Sequence, residues 1–177
     1  FAIFRLTNLQ EFPIFGDEAL YLYLSDNFLK NPQTYLKSIQ YGVMPIFIWL
    51  QSLLFFINQD RISLLLLGRI LNVIMDLTSA YLIFFITKKL FDQKSAYLAF
   101  IFYLILPINF LHSRLILLES LTNFFILSSI YLYLNLISNL KVDTKKYLAL
   151  ISISILATLS YFTKPVSIIN FPALFSL

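Results

Sequence analysis

The chain has 177 residues, of which 59% are apolar, 18% aromatic and only 12% charged, and its mean hydropathy is +0.81. Because about a quarter of an ordinary soluble domain is charged, this composition excludes a water-soluble monomer and predicts an all-α polytopic membrane protein. The excess of 13 Lys and Arg over 9 Asp and Glu is interpreted as a signal of topology rather than of a nucleic-acid partner. The chain begins at Phe1 without an initiator Met and stops at Leu177 inside an apolar run, so it is expected to be a fragment of a longer protein.

Residue counts exclude several kinds of site. Without Cys there is no disulfide framework, no thiolate metal site and no cysteine nucleophile. The single histidine, His112, excludes a metal site built from several histidines within this piece. The metal requirement is therefore unknown: a divalent cation held by other ligands is left open, and nothing in the sequence requires one.

Apolar runs of the length that crosses a membrane recur along the chain, and a transmembrane helix takes about 20 predominantly apolar residues. Residues 1–4 are predicted to end a first helix, and residues 5–61 to form an extracytoplasmic loop with interfacial helices, one of them at 19–29. The run 44–57 is only about 14 residues long, which favours an interfacial or re-entrant segment over a span. The predicted transmembrane segments that follow are 62–87, 95–111, 115–137, 147–163 and a truncated 166–177.

Lysine clusters indicate the orientation of these segments. The clusters at 88–94 and 141–146 are separated by two predicted spans, so both can lie in the cytoplasm. The first loop, and the turns near 111–114 and 163–165, then face the opposite side of the plasma (inner) membrane. The polar residues that this parity brings together on the extracytoplasmic side are Asp17, Glu18, His112, Arg114, Glu119 and Lys164.

Ionisable residues inside a membrane are functional candidates by default, but each has a structural alternative. Glu119 lies about one turn inside its span and five residues after Arg114, so these two can also form a structural ion pair. Lys164 suits an anionic lipid phosphate on the outer side, or ordinary snorkelling to the interface. Arg69 and Asp76 are expected to pair with residues of other helices.

Asp17 and Glu18 form an acidic pair in the first loop. Adjacent side chains on a helix point in different directions, so the two carboxylates can serve different tasks. One can take a proton from a hydroxyl while the other binds an amide or a metal ion. The alternative is a helix start, since Gly, Asp and Glu in succession at 16–18 are typical of an N-terminus.

Several short motifs carry a resemblance to a known family. They are R-L-T-N-L at 5–9, F-G-D-E-A-L-Y at 15–21, Y-G-V-M-P-I-F-I-W-L at 41–50, G-R-I-L-N at 68–72, K-K-L-F-D-Q-K at 88–94, S-R-L-I-L-L-E at 113–119 and L-S-Y-F-T-K-P at 159–165. In order and spacing they resemble glycosyltransferase family 39, membrane enzymes of the GT-C class that include protein O-mannosyltransferases and the aminoarabinose transferases of lipid A. The resemblance implies a GT-C-type transmembrane helix bundle, of which this chain would be an N-terminal fragment.

The resemblance also implies roles for particular residues. Asp17 matches the base that deprotonates the acceptor hydroxyl, and Glu18 would bind and position the acceptor. Glu119 matches a second acidic residue that lines the same cavity, and Arg114 and Lys164 match basic positions near the lipid phosphate of the donor. The chain departs from the family pattern at 43–45, which lacks the usual histidine and one proline, and at 165, where Pro replaces a frequent Gly.

The function expected on this basis is transfer of a sugar from a polyprenyl-phosphate donor to a hydroxyl or phosphate group of a protein, lipid or glycan, on the extracytoplasmic side. Cations stabilise the leaving phosphate, and Asp17 as a single base favours inversion, with retention as the alternative. The alternative function is a transporter or flippase of a lipid-linked glycan, and a third is a non-catalytic membrane scaffold. A transporter should show internal repeats or paired Gly and Pro breaks, of which a chain with 3 Gly shows little sign. The sequence does not identify the sugar or the acceptor.

Overall fold

A computed structural model describes residues 2–57, 60–137 and 144–170 of the chain. All regular structure in this part is helical, which confirms the all-α prediction. The α-helices are α1 Ala2–Leu6, α2 Gly16–Lys30, α3 Pro45–Ser52, α4 Arg61–Leu90, α5 Gln93–Ile105, α6 Pro107–Ser113, α7 Leu118–Ile137 and α8 Thr144–Thr163. Shorter 3₁₀ segments lie at Pro32–Thr34, Lys37–Tyr41, Leu53–Phe56 and Pro165–Asn170.

Helix α4 is the central element of the fold. At its start, the Asp60 carboxylate accepts a hydrogen bond from the Ser63 backbone N–H at 2.9 Å. Lys88 and Lys89 lie in its last turn, where positive charge interacts favourably with the negative end of the helix dipole. Within the described ranges α4 is the one unbroken helix that is long and apolar enough to cross a membrane. It packs against α5 and α7, and α7 in turn packs against α8.

The segment predicted at 95–111 is broken into two helices. α5 and α6 meet at Leu106 and are bent by 62° relative to each other. The bend follows from Pro107 at the first position of α6, since proline has no N–H for the hydrogen bond that would continue α5. As a bent pair, the two helices form a second candidate span or a re-entrant segment.

The number of spans therefore stays a prediction. Two other apolar helical stretches, Pro45–Phe56 and Tyr147–Thr163, are shorter than a standard span. The predicted segment 166–177 begins in the 3₁₀ helix Pro165–Asn170, and its remainder lies outside the described residues. The described helices thus include one or two candidate spans, and the polytopic architecture rests on the sequence pattern.

The first loop folds into a helical layer made of α2 and α3, and the helix predicted at 19–29 lies within α2. Tyr21 of α2 packs edge-on against Phe47 of α3, with ring centroids 5.3 Å apart. Phe28 stacks on Trp49 at 6.3 Å, and the Ser25 hydroxyl donates to the Ile48 carbonyl at 3.2 Å. Side chains of this layer share one apolar core with the segment 115–117, so the layer is fixed against the N-terminal end of α7.

A buried polar network joins α1 to the rest of the bundle. The Arg5 guanidinium is completely buried and donates to the Asp76 carboxylate, to the Ser113 hydroxyl at 2.8 Å and to the Leu104 carbonyl at 3.2 Å. The second Asp76 oxygen accepts from the Tyr103 hydroxyl at 2.9 Å. The expectation that Asp76 pairs with another helix is confirmed, and the pair holds two charges that would otherwise be costly inside a membrane.

Candidate active site

Glu18 and Arg69 form the most buried ion pair of the described structure, with both side chains fully inaccessible to solvent. The guanidinium donates to both carboxylate oxygens, from Nε to Oε1 at 2.8 Å and from Nη2 to Oε2 at 2.7 Å. Oε1 also accepts from the backbone N–H of Ile116 at 2.9 Å, and Oε2 from that of Phe15 at 3.0 Å. Glu18 therefore ties the start of α2 to α4 and to the segment before α7, and the expected inter-helix partner of Arg69 is confirmed.

The remaining N–H groups of Arg69 hold the chain between α1 and α2. They donate to the carbonyl oxygens of Leu9, of Phe12 at 3.2 Å and of Pro13 at 3.2 Å. Together with the two bonds to Glu18, these contacts use all five donors of the guanidinium. The course of the first loop up to α2 is consequently fixed by one side chain of α4.

Asp17 behaves in the opposite way to its neighbour. Its side chain is exposed at the first turn of α2, and no group in the described part of the chain donates a hydrogen bond to it. The buried Glu18 thus fixes the helix start, while the adjacent carboxylate is available to a ligand.

Tyr21 lies one turn after Asp17 on the same face of α2. Burial raises the pKa of the Tyr21 phenol, and the carboxylates of Asp17 and Glu119 raise this pKa further. The carboxylates of Asp17 in α2 and Glu119 in α7 therefore both act electrostatically on the Tyr21 phenol. Tyr21 was not predicted from the sequence, because an aromatic residue in an apolar chain is by default a packing residue.

Glu119 and Lys164 are joined directly, with Lys164 Nζ 2.6 Å from Glu119 Oε1. Glu119 lies in the first turn of α7, and Lys164 directly follows the last residue of α8. The two side chains are 32% and 36% exposed, so both remain within reach of a ligand. In the described structure Glu119 pairs with Lys164, and Arg114 donates to Thr7 instead. The structural ion pair between Glu119 and Arg114 is therefore not formed.

Arg114 points toward the first loop instead. Its Nη2 donates to the Thr7 carbonyl at 2.6 Å, and its guanidinium lies 4.3 Å from the ring centroid of Phe12 and 5.3 Å from that of Phe110. Burial, and then the nearby charge of Arg69, lower the pKa of Arg114. Among the described residues Arg114 thus contacts the loop and not Glu119 or Lys164.

The motif G-R-I-L-N at 68–72 places the segment before Glu119. Asn72 donates from its Nδ2 to the carbonyls of Leu115 at 2.6 Å and Leu117 at 2.8 Å. A Cβ atom at Gly68 would lie 2.6 Å from Ile116 Cδ1, so a larger residue there would require the Ile116 side chain to shift. The motif is therefore explained by three contacts from one face of α4, none of which could be predicted from the sequence.

His112, which was expected on the same side, lies half-buried at the end of α6. In the described ranges no group of three or more His, Asp and Glu is arranged to hold a metal ion.

Comparison with known families gives one match. The family described as dolichyl-phosphate-mannose-protein mannosyltransferase matches residues 44–177, which is more than half of the chain. The chain belongs to this family. The predicted resemblance is confirmed, and the chain is part of a membrane-integral glycosyltransferase family that uses a lipid-linked sugar. A search of curated proteins gives no match, and neither does a search of solved structures.

The match covers some of the candidate residues and not others. Arg69, Glu119 and Lys164 lie inside residues 44–177, whereas Asp17 and Glu18 precede this range. The assignment of Asp17 and Glu18 therefore depends on the F-G-D-E-A-L-Y motif and on the geometry at the start of α2. That geometry links the two parts through one ion pair, because Glu18 is bonded to Arg69.

Proposed function

We propose that this family member transfers a sugar from a polyprenyl-phosphate donor to a hydroxyl group on the extracytoplasmic side of the plasma membrane, with Asp17 as the general base. The observation that carries the proposal is the contrast between two adjacent carboxylates. Every oxygen of Glu18 is bonded within the protein, whereas Asp17 is exposed and accepts no hydrogen bond from the described residues. A general base must be accessible to its substrate and held in a fixed position. Asp17 is accessible, and the buried Glu18 beside it holds the start of α2 in place.

The proposed reaction is a direct displacement. Asp17 takes the proton of the acceptor hydroxyl, the hydroxyl oxygen bonds to the anomeric carbon, and the bond from that carbon to the phosphate oxygen breaks. The lipid phosphate leaves with the electron pair, and the configuration at the anomeric carbon is inverted. Lys164 stabilises the charge that develops on the leaving phosphate, and Glu119 holds its ammonium group at 2.6 Å.

The other two candidate residues take different roles in this proposal. Glu18, which the resemblance assigned to the acceptor, has no free oxygen, so we assign it to positioning Asp17 through the start of α2. Arg114 is not included in the donor site, because its described contacts are with Thr7, Phe12 and Phe110.

The family description supports a protein hydroxyl as the first acceptor to test. The test uses the purified full-length enzyme, a hydroxyl-containing peptide and the same labelled sugar on two carriers, a polyprenyl phosphate and a nucleotide. We expect glycopeptide from the lipid carrier and none from the nucleotide. Translocation of the intact lipid-linked sugar in vesicles, without any glycopeptide, would instead identify a flippase.

The placement of the first loop outside the cytoplasm can be tested by cysteine labelling, because the chain contains no Cys of its own. Gln33 in the first loop and Gln93 at the start of α5 are both exposed. In intact cells a membrane-impermeant thiol reagent should label Gln33→Cys, and it should label Gln93→Cys only after permeabilisation. Labelling of Gln33→Cys only after permeabilisation would separate Asp17 from the outer face and contradict the proposal.

Replacing Lys164 with Met should lower kcat/KM for the lipid donor by about tenfold or more, since it removes a contact to the leaving phosphate and a hydrogen bond to a charged group contributes about 1.5–3 kcal/mol. Stability should change little, because partly exposed ion pairs contribute only about 0–1 kcal/mol. Lys30→Met is the matched control, since Lys30 forms an exposed pair with Asp26 at the same 2.6 Å. If the double variant Glu119→Gln with Lys164→Met recovers wild-type kinetics, the pair is only structural.

A further inference from the structure

A pocket of about 370 Å³ lies where α1 passes into the first loop. It is lined by Thr7, Asn8, Glu11, Phe12, Pro13 and Arg114. None of the residues proposed for sugar transfer lines it. We propose that this pocket binds the phosphoethanolamine headgroup of a membrane lipid, with Arg114 on the phosphate and Glu11 on the ammonium group.

Arg114 has the features of an anion-binding residue that still lacks its anion. Its side chain is buried, yet among the described residues only the Thr7 carbonyl accepts from it. Nε is buried without a hydrogen-bond partner in that part of the chain, and no described group accepts from Nη1. A buried donor without a partner is costly, and phosphate oxygens match the planar fork of a guanidinium. The Phe12 ring, 4.3 Å away, holds the plane of that fork.

Glu11 indicates whether the ligand of this pocket is a simple anion or a zwitterion. It lines the same pocket with an exposed side chain, and it is not within ion-pair distance of Arg114 or of any other described cation. A purely anionic headgroup would meet this carboxylate as a like charge. Opposite charges that line one pocket without pairing instead match a ligand that carries both a phosphate and an ammonium. A primary ammonium offers three donors to Glu11, which a trimethylated one does not.

The surroundings of the pocket indicate a lipid rather than a soluble molecule. α1 runs directly into the pocket, and its apolar residues Ile3 and Phe4 are 76% and 68% exposed, with Leu6 also exposed. Acyl chains attached to a headgroup at Thr7 and Arg114 can lie along this apolar surface, which is favourable for hydrocarbon and unfavourable for water. The headgroup and the chains thus have adjacent places on one element.

The test is native mass spectrometry of the full-length protein in micelles doped with phosphatidylethanolamine, phosphatidylcholine or phosphatidylglycerol. Phosphatidylethanolamine should be retained about tenfold more than either other lipid, because only its primary ammonium can donate a hydrogen bond to the Glu11 carboxylate. Glu11→Gln should remove this preference without disturbing the fold, since Glu11 has no side-chain partner among the described residues. Asp26→Asn, which removes a carboxylate elsewhere on the loop, should keep it.

Equal retention of phosphatidylglycerol, or an unchanged preference in Glu11→Gln, would overturn the proposal. Arg114→Lys keeps the charge and loses the fork, so it should weaken retention of phosphatidylethanolamine, and unchanged retention would also contradict the assignment. Free phosphoethanolamine that displaces the lipid at equal concentration would overturn the lipid as the source of the headgroup. None of these readouts involves sugar transfer, so their failure would leave the proposed function untouched.

Discussion

Asp17→Asn in the full-length enzyme is expected to lower the rate of sugar transfer by about 10²–10⁴-fold, because general-base catalysis typically contributes this factor. The substitution keeps the size of the side chain and removes its ability to accept the hydroxyl proton. Asp17 is exposed and bonded to no other described side chain, so the variant should fold normally. Initial rates with the polyprenyl-phosphate donor, together with the donor Kd of the same preparation, measure the two effects separately.

Asp26→Asn is the matched control, since Asp26 is another carboxylate of α2, and its only described partner is Lys30, with which it forms an exposed pair. It should keep the wild-type rate. A rate for Asp17→Asn within about threefold of wild type is incompatible with the expected contribution of a base. A parallel loss of donor binding would show instead that Asp17 binds the donor.

Glu18→Gln is expected to have the largest effect on stability and to lower the free energy of unfolding by about 3–5 kcal/mol, as for other buried ion pairs that lose one partner. The variant leaves the buried Arg69 without a counter-charge and turns one acceptor of Glu18 into a donor. That donor then faces the N–H groups of Phe15 or Ile116. Thermal unfolding of the purified protein in detergent measures the loss.

The same variant separates positioning from binding. At a temperature where Glu18→Gln stays folded, we expect a lower kcat with little change in the acceptor KM, because the start of α2 and hence Asp17 is displaced. A raised acceptor KM with an unchanged kcat would return Glu18 to the acceptor site. Lys30→Met, which breaks an exposed pair, should lower stability by no more than about 1 kcal/mol.

The sequence predicted the helical class and the grouping of Glu119 with Lys164, but it did not predict which cation Glu119 binds. Arg114 is five residues away, a spacing that suggests contact only if the intervening chain is helical. α6 ends at Ser113 and α7 begins at Leu118, so the segment between them is not helical and Arg114 turns toward Thr7. Lys164, 45 residues further along, reaches Glu119 through the packing of α7 on α8, which no local pattern encodes.

For the acidic pair of Asp17 and Glu18, too, the sequence predicts only part of the arrangement. The helical repeat correctly separates the directions of Asp17 and Glu18, but which of them is buried depends on Arg69, 51 residues away. The break at Pro107 was not predicted for another reason. The length of an apolar run does not distinguish one straight helix from two helices joined at an angle. The pocket at Thr7 and Arg114 joins residues 107 positions apart, so it could only be found in the folded chain.

The central claim, that this membrane protein breaks the bond between a sugar and a lipid phosphate and joins the sugar to a hydroxyl, is tested most directly by a single turnover. The wild-type full-length enzyme is mixed with a slight excess of hydroxyl peptide and a polyprenyl-phosphate sugar of known anomeric configuration, and the products are followed by NMR. We predict that lipid phosphate and glycopeptide appear in equal amounts and at the same rate, with inverted configuration. Donor that stays intact without forming glycopeptide, or a product of retained configuration, would contradict direct displacement with Asp17 as the base.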